Sequence, residues 1–203
     1  MSYDRDQLET WLKGISIKTE RVLDLGGAAN PVLTRLKKAN IQEYICFDLG
    51  EEEPKTQYIK FDINKPLEQL EGYKDENFNF NCIFCLEVME YVYDPVEAIK
   101  NIYRLLDYDG VVYISFPSVY PTHQPVEIDY LRYTKQAIET YLKMFGFEIA
   151  EIKPRVATLG RQSLSEFYVN ERMHPVRQSE LPYHIGYLVK AYKKYTDLKE
   201  SNG

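Results

Sequence analysis

The 203 residues carry a formal net charge of −6, with 31 Asp and Glu against 25 Lys and Arg. That length fits one α/β domain spanning 1–203 with a sizeable core, and an acidic balance without a compensating Lys/Arg run argues against long nucleic acid as a partner. No window is as long and apolar as a membrane span, and Met1-Ser2-Tyr3-Asp4-Arg5-Asp6 has neither the basic nor the apolar region of a signal peptide, so the expected location is the cytoplasm and no membrane contact is expected.

At the start, Asp4 with Gln7 reads as a capping box, and Leu8, Trp11, Leu12 and Ile15 follow at helical spacing. The pattern predicts a cap helix over residues 4–15 that packs by its apolar stripe, with Trp11 in the core. Val22-Leu23-Asp24-Leu25 is then a short apolar run of the kind seen in a central parallel strand. Gly26 and Gly27 let the backbone turn and let a ligand approach it without meeting a Cβ. Asn30 and Pro31 are expected to open a helix whose Val32, Leu33 and Leu36 face the sheet.

A second apolar strand, Tyr44-Ile45-Cys46-Phe47, ends in Asp48, an acid spaced from Asp24 as nucleotide-binding folds require and suited to accept hydrogen bonds from ribose hydroxyls. Tyr58-Ile59-Lys60-Phe61 is a third strand, ending at Asp62 and Ile63. Residues 64–77 are polar and carry Pro66 and Gly72, which predicts a short turn or helix on the outside. Phe80-Asn81-Cys82-Ile83-Phe84-Cys85-Leu86 is a fourth strand, followed by Glu87-Val88-Met89-Glu90-Tyr91-Val92.

Asp94-Pro95-Val96-Glu97 combines an N-cap, a proline at the first helical position and a capping-box acid; Ile99, Ile102, Tyr103 and Leu106 supply the sheet-facing stripe. Tyr108-Asp109-Gly110 turns the chain into a fifth strand, Val111 to Phe116, ended by Pro117. Thr134 caps another helix, with Ile138, Tyr141, Leu142 and Phe145 at i, i+3, i+4 and i+7 and Gly146 as its stop. Phe147 to Ile152 alternates as a half-exposed strand, and Ile185 to Tyr192 is the final strand, antiparallel and inserted beside the fifth. The intervening residues 154–183 exceed what a turn needs and are expected to form a lid or partner surface, with a helix near 164–172. Residues 193–203 are polar and expected to fray.

Cys82 and Cys85 are spaced like a metal or redox pair, yet residues three apart on a strand point to opposite faces, so Cys46, Cys82 and Cys85 are expected to be buried free thiols. His123, His174 and His184 share no ligand spacing, and no metal is expected.

These motifs carry a family resemblance. Asp24-Leu25-Gly26-Gly27-Ala28-Ala29-Asn30 resembles the first motif of class I S-adenosylmethionine (SAM)-dependent methyltransferases of the small-molecule type, with Ala28 and Asn30 where the later glycines usually stand. The segment Phe80 to Pro117 is the denser match, with Tyr91 in place of a frequent histidine whose role cannot be transferred. The resemblance implies a Rossmann-like, seven-stranded, mostly parallel sheet with helices on both faces and an antiparallel strand near one edge. It implies SAM as cofactor, held by Asp24, Gly26, Gly27 and Ala28, by Asp48 and Leu49 at the ribose, by Asp62 and Ile63 at the adenine, and by Leu86 and Glu87 beneath the methionine part. After the fifth strand, His123 followed by Asp129-Tyr130-Leu131-Arg132-Tyr133-Thr134 is similar to an acceptor-side motif of such enzymes. His123, with an ordinary pKa near neutrality, is the candidate base, and Tyr120, Asp129, Tyr130 and Arg132 are candidate acceptor contacts; the bland alternative is that Asp129 and Arg132 pair to hold the loop.

The implied activity is transfer of the SAM methyl group to an oxygen or nitrogen of a small molecule, or of a glycan or natural-product precursor. A catalytically silent methyltransferase-like module that binds SAM or serves a partner remains the alternative. A nicotinamide oxidoreductase fits less well, because Ala28 and Pro31 occupy glycine places of Gly-x-Gly-x-x-Gly. The sequence leaves the acceptor open and is compatible with a homo-oligomer.

Overall fold

A computed structural model describes residues 3–50, 57–74, 78–120, 122, 124–156 and 184–194. The elements run α1 (Tyr3–Gly14), β1 (Ser16–Leu25), β2 (Lys38–Asp48), β3 (Gln57–Lys60), β4 (Phe80–Cys85), α2 (Pro95–Leu105), β5 (Leu106–Pro117), α3 (Lys135–Met144), β6 (Phe147–Val156) and β7 (His184–Lys193). Seven strands form one sheet in the order β3-β2-β1-β4-β5-β7-β6. The first five are mutually parallel, while β7 runs antiparallel between β5 and β6. The expected seven-stranded, mostly parallel architecture is therefore present.

Side-chain alternation splits the core into two layers. Leu23, Ile45, Phe47, Ile83, Cys85, Val112 and Ile114 pack with Ala98, Ile99 and Ile102 of α2 and Ile138 and Leu142 of α3. Val22, Cys82, Phe84, Tyr113 and Leu188 pack instead with Leu8, Trp11 and Leu12 of α1. Cys82 and Cys85 thus lie in opposite layers, and all three thiols are free and buried.

The helix expected after Pro31 is absent; one 3-10 turn, Val32–Thr34, stands in its place. The strand pairing explains this. β2 begins opposite Ser16, at the far end of β1. The crossover must therefore travel back along nine residues of strand, about 30 Å at the rise of a β-strand. A helix made of all twelve intervening residues would span only about 18 Å, so the chain stays largely extended.

Other boundaries move less. β5 starts at Leu106, and Asp109 within it takes φ 58°. The turn expected at 64–77 contains a 3-10 segment, Leu67–Gln69, whose Leu67 is buried. Gln7 does not serve a capping box: its side-chain amide donates to Val156 O and accepts from Val156 N–H, tying α1 to the end of β6. Lys193, placed in a fraying tail by its polarity, is buried in β7 and donates from Nζ to Leu106 O at 2.6 Å. Of the long connection, residues 154–156 belong to β6, and the lid and helix expected beyond them lie outside the described residues. The two later helix starts are as expected: Asp94 accepts the Glu97 N–H, with Pro95 at the first position, and Thr134 accepts the Ala137 N–H. Among the described residues, no helix is long and apolar enough to cross a membrane.

Candidate cofactor and acceptor site

The carboxyl ends of β1, β2, β3 and β4 open into one cleft of about 240 Å3. Leu25, Phe47, Phe61, Ile63 and Val92 supply apolar walls; Asp48, Asp62 and Glu87 bring carboxylates to its edge. A pocket that is mostly apolar with a few convergent acids suits a flat heterocycle carrying hydroxyl and amino groups.

Local backbone chemistry shapes the first wall. Gly26 sits at φ 74°, and its N–H donates to Phe47 O at 2.7 Å, so the turn closes directly on β2. A Cβ there would meet Val88 Cγ2 at 2.4 Å, and one at Gly27 would fall 2.0 Å from Asp24 Oδ2. Both positions therefore need glycine: one for its dihedral and its neighbour, the other because the backbone lies on the acid beneath it. Asp24 itself does not line the cleft. It is 1% exposed and accepts hydrogen bonds from Val32 N–H and the Tyr44 hydroxyl. Burial pushes its pKa up to about 6, against the lowering effect of those two donors. Its place is under the turn, as the clasp that holds residues 24–32 together.

Asp48 does border the cleft. Its Oδ2 accepts the Ala28 N–H at 3.0 Å, while Oδ1 accepts the N–H groups of Leu49 and Gly50 at 2.7 and 3.0 Å. Leu49 is exposed at the rim. Asp62 accepts both the backbone N–H and the side-chain amide of Asn64 on Oδ1, at 3.0 and 2.8 Å. Asn64 Oδ1 in turn accepts from Tyr93 and Asp94 N–H groups at 2.9 and 3.1 Å. Behind this loop, Asn101 of α2 donates to the carbonyls of Ile63 and Lys65 at 2.9 and 2.7 Å. Sequence reading passed over Asn64 and Asn101; a buried asparagine on the apolar stripe of a helix was the available signal for the second.

At the end of β4, Leu86 is buried and Glu87 takes φ 58°, a left-handed conformation uncommon outside glycine. Glu87 N–H donates to Ser115 Oγ at 2.7 Å, and Ser115 Oγ donates back to Glu87 Oε1 at 2.9 Å. Arg155 Nη1 of β6 reaches the same Oε1 at 2.6 Å. Ser115 lies within the Phe80 to Pro117 match, but neither it nor Arg155 was given a role there.

The cleft is bordered on its outer side by Tyr91 and Ile128. Here the segment after β5 is fastened to the 3-10 turn Met89–Tyr91: Tyr130 N–H donates to Glu90 O at 2.8 Å, Tyr133 Oη to Met89 O at 3.1 Å, and Tyr91 Oη to Gln124 O at 3.2 Å. Asp129 and Arg132 form a bidentate pair, Nη1 to Oδ1 at 2.5 Å and Nη2 to Oδ2 at 2.7 Å, while Arg132 Nε donates to Tyr120 O. The loop-holding role weighed for this pair is thus the one its contacts describe. Tyr120 and Tyr130 are exposed, and Tyr130 packs edge-on against Tyr93 at 5.8 Å. Glu90 is pushed up to about 7, first by burial and then by the nearby Glu87. His123 lies outside the described residues. No group of metal-ligating side chains occurs among the described residues.

Residues 3–152 match a family model described as a methyltransferase domain, and the chain belongs to that family. A tRNA U34 carboxymethyltransferase from Sulfurimonas denitrificans is 34% identical over 111 residues, covering 49% of this chain and 36% of the relative, so the chain matches about a third of that protein's length. The fold is shared with a Haloferax volcanii chain solved in complex with the Trm112 methyltransferase activator, at TM-score 0.64 and 13% identity over 95% of this chain and 90% of that one. It is shared too with Haemonchus contortus phosphoethanolamine N-methyltransferase 2 in complex with S-adenosyl-L-methionine, at TM-score 0.59 and 15% identity over 96% and 53% of the two chains. The chain thus carries a methyltransferase domain, on a fold that it shares with these structures.

Proposed function

We propose that this chain methylates an oxygen or nitrogen of a small-molecule acceptor, a class that includes glycan and natural-product precursors, bound over residues 118–133. The observation that carries the reading is a cleft lined both by Asp48, Asp62 and Glu87 and by Tyr91 and by Ile128 of the segment after β5. SAM, when bound, supplies a methyl group activated on a sulfonium sulfur. Asp48 is assigned to the ribose hydroxyls, Asp62 and the Ile63 N–H to the adenine, and Glu87 to the methionine end. Gly26 and Gly27 let the turn close on Val88 and Asp24 and so set the wall on which the cofactor rests, and Ala28 and Leu49 complete its border.

On the acceptor side, Tyr120 and Tyr130 offer aromatic surface, and the Asp129–Arg132 pair holds the loop that presents them. The chain's contribution is to align the acceptor atom with the methyl carbon and to keep water from the reacting pair. His123 is the proposed base for an acceptor whose proton must leave. Isotope-labelled SAM incubated with the protein and fractionated cell extract would identify the acceptor: label appearing in a low-molecular-mass fraction supports the reading, and label confined to tRNA refutes it. A tRNA acceptor is the second reading, favoured by the Sulfurimonas relative and opposed by the net charge of −6. A SAM-binding module without turnover would leave every fraction unlabelled.

A further inference from the structure

We infer that Arg155, at the far end of β6, is a positioning residue for the methionine end of the cofactor, acting through Glu87. The inference rests on the assignment of Glu87 to that end of the cleft. Arg155 is 6% exposed although it belongs to the edge strand of the sheet. In register it lies opposite Gly186 of β7, which lies opposite Pro117 of β5. Position 186 places no side chain in the row between β6 and β5, and the guanidinium crosses that row to meet Glu87 Oε1 at 2.6 Å.

Glu87 is thereby held from two directions. Ser115 accepts its N–H and donates to Oε1, and Arg155 donates to the same oxygen. The carboxylate is held in one orientation by these donors while its side chain remains 48% exposed on the cleft. An ammonium group arriving there meets a charge already in place, so little side-chain freedom is lost on binding. The strand end that carries Arg155 is itself fixed, because Gln7 of α1 bonds both backbone groups of Val156.

The test compares two ligands that differ in the amino-acid end. S-adenosylhomocysteine carries the ammonium and carboxylate; 5′-methylthioadenosine keeps the nucleoside and lacks both. By calorimetry, Arg155→Met is expected to weaken S-adenosylhomocysteine about tenfold and to leave 5′-methylthioadenosine within twofold of the parent, with Arg155→Lys recovering most of the loss. If both ligands weaken together, or S-adenosylhomocysteine is unchanged, Arg155 is only structural and the inference fails. Should Arg155→Met not fold, Ser115→Ala carries the same comparison, since it loosens Glu87 without removing a buried charge from the sheet. Glu87→Gln separates the two layers of the argument: unchanged S-adenosylhomocysteine affinity there overturns the assignment of Glu87 itself, whereas a loss in Glu87→Gln without one in Arg155→Met overturns the role of Arg155 alone.

Discussion

Asp48 accepts the N–H of Ala28, and this one hydrogen bond of 3.0 Å joins the end of β2 to the turn that follows β1. The carboxylate thus shapes the cleft while also standing at its edge. Asp48→Ala should weaken SAM binding by roughly 1.5–3 kcal/mol through lost charge-assisted hydrogen bonds. Calorimetric titration checks this, and an unchanged affinity would remove Asp48 from the ribose assignment.

Asn64→Ala strips the acceptor from the N–H groups of Tyr93 and Asp94 and the side-chain amide donor from Asp62, leaving only the backbone N–H of residue 64 on that carboxylate. A loss of roughly 1–3 kcal/mol in urea unfolding is expected, together with weaker SAM binding. Asn64→Asp keeps an acceptor for the two N–H groups while placing a second carboxylate beside Asp62. A variant that loses stability yet binds SAM as the parent does would confine Asn64 to the scaffold.

Glu90 gives stability a pH dependence. Its folded pKa of about 7 lies above the ordinary 4.5, so the folded chain keeps a proton that the unfolded chain releases between those values. Its contribution is complete below about pH 4.5 and disappears as pH rises to about 7, a change on the order of 3 kcal/mol. Asp24, raised from 3.8 to about 6, acts in the same direction over a lower window. Glu90→Gln should therefore gain stability relative to the parent between pH 5 and 7; parallel unfolding curves for the two proteins across that range would contradict the assignment.

For His123, the sequence position after β5 and the ordinary histidine pKa motivate a base. His123→Gln should preserve SAM affinity and lower the single-turnover methylation rate by about a hundredfold or more. A rate within a few-fold of the parent would leave alignment and exclusion of water as the mechanism.

What could be read from the sequence was decided by local chemistry. Asp94-Pro95 and Thr134 announce helix starts because a cap is satisfied within three residues, and the apolar runs at Val22, Ile45 and Ile83 announce buried strands by composition alone. The missing helix after Pro31 could not be read so, since its fate depends on how far β2 must travel to pair with Ser16. Of the cleft acids, Asp48 was legible from its place at the end of an apolar run, whereas the roles of Asp62 and Glu87 came from the family resemblance. Ser115, Asn101 and Arg155 were not legible: each acts on a residue at least 28 positions away, and spacing carries no trace of such a contact. Asp129 and Arg132, three residues apart, could be read either as acceptor contacts or as a loop-holding pair, and their contacts describe an internal strut.

The pairing of α1 with β6 has a bearing on how the chain reaches this state. Gln7 meets Val156 across 149 residues, and Trp11 donates to Glu151 across 140. β6 is joined to the sheet only through β7, which ends at Lys193. α1 can pack on Val22, Phe84 and Tyr113 of the earlier strands, but its hydrogen bonds to β6 wait until β7 has paired with β5. Contacts closed over so many residues carry a large loop-closure cost, and topologies rich in them fold slowly and expose apolar surface while they do.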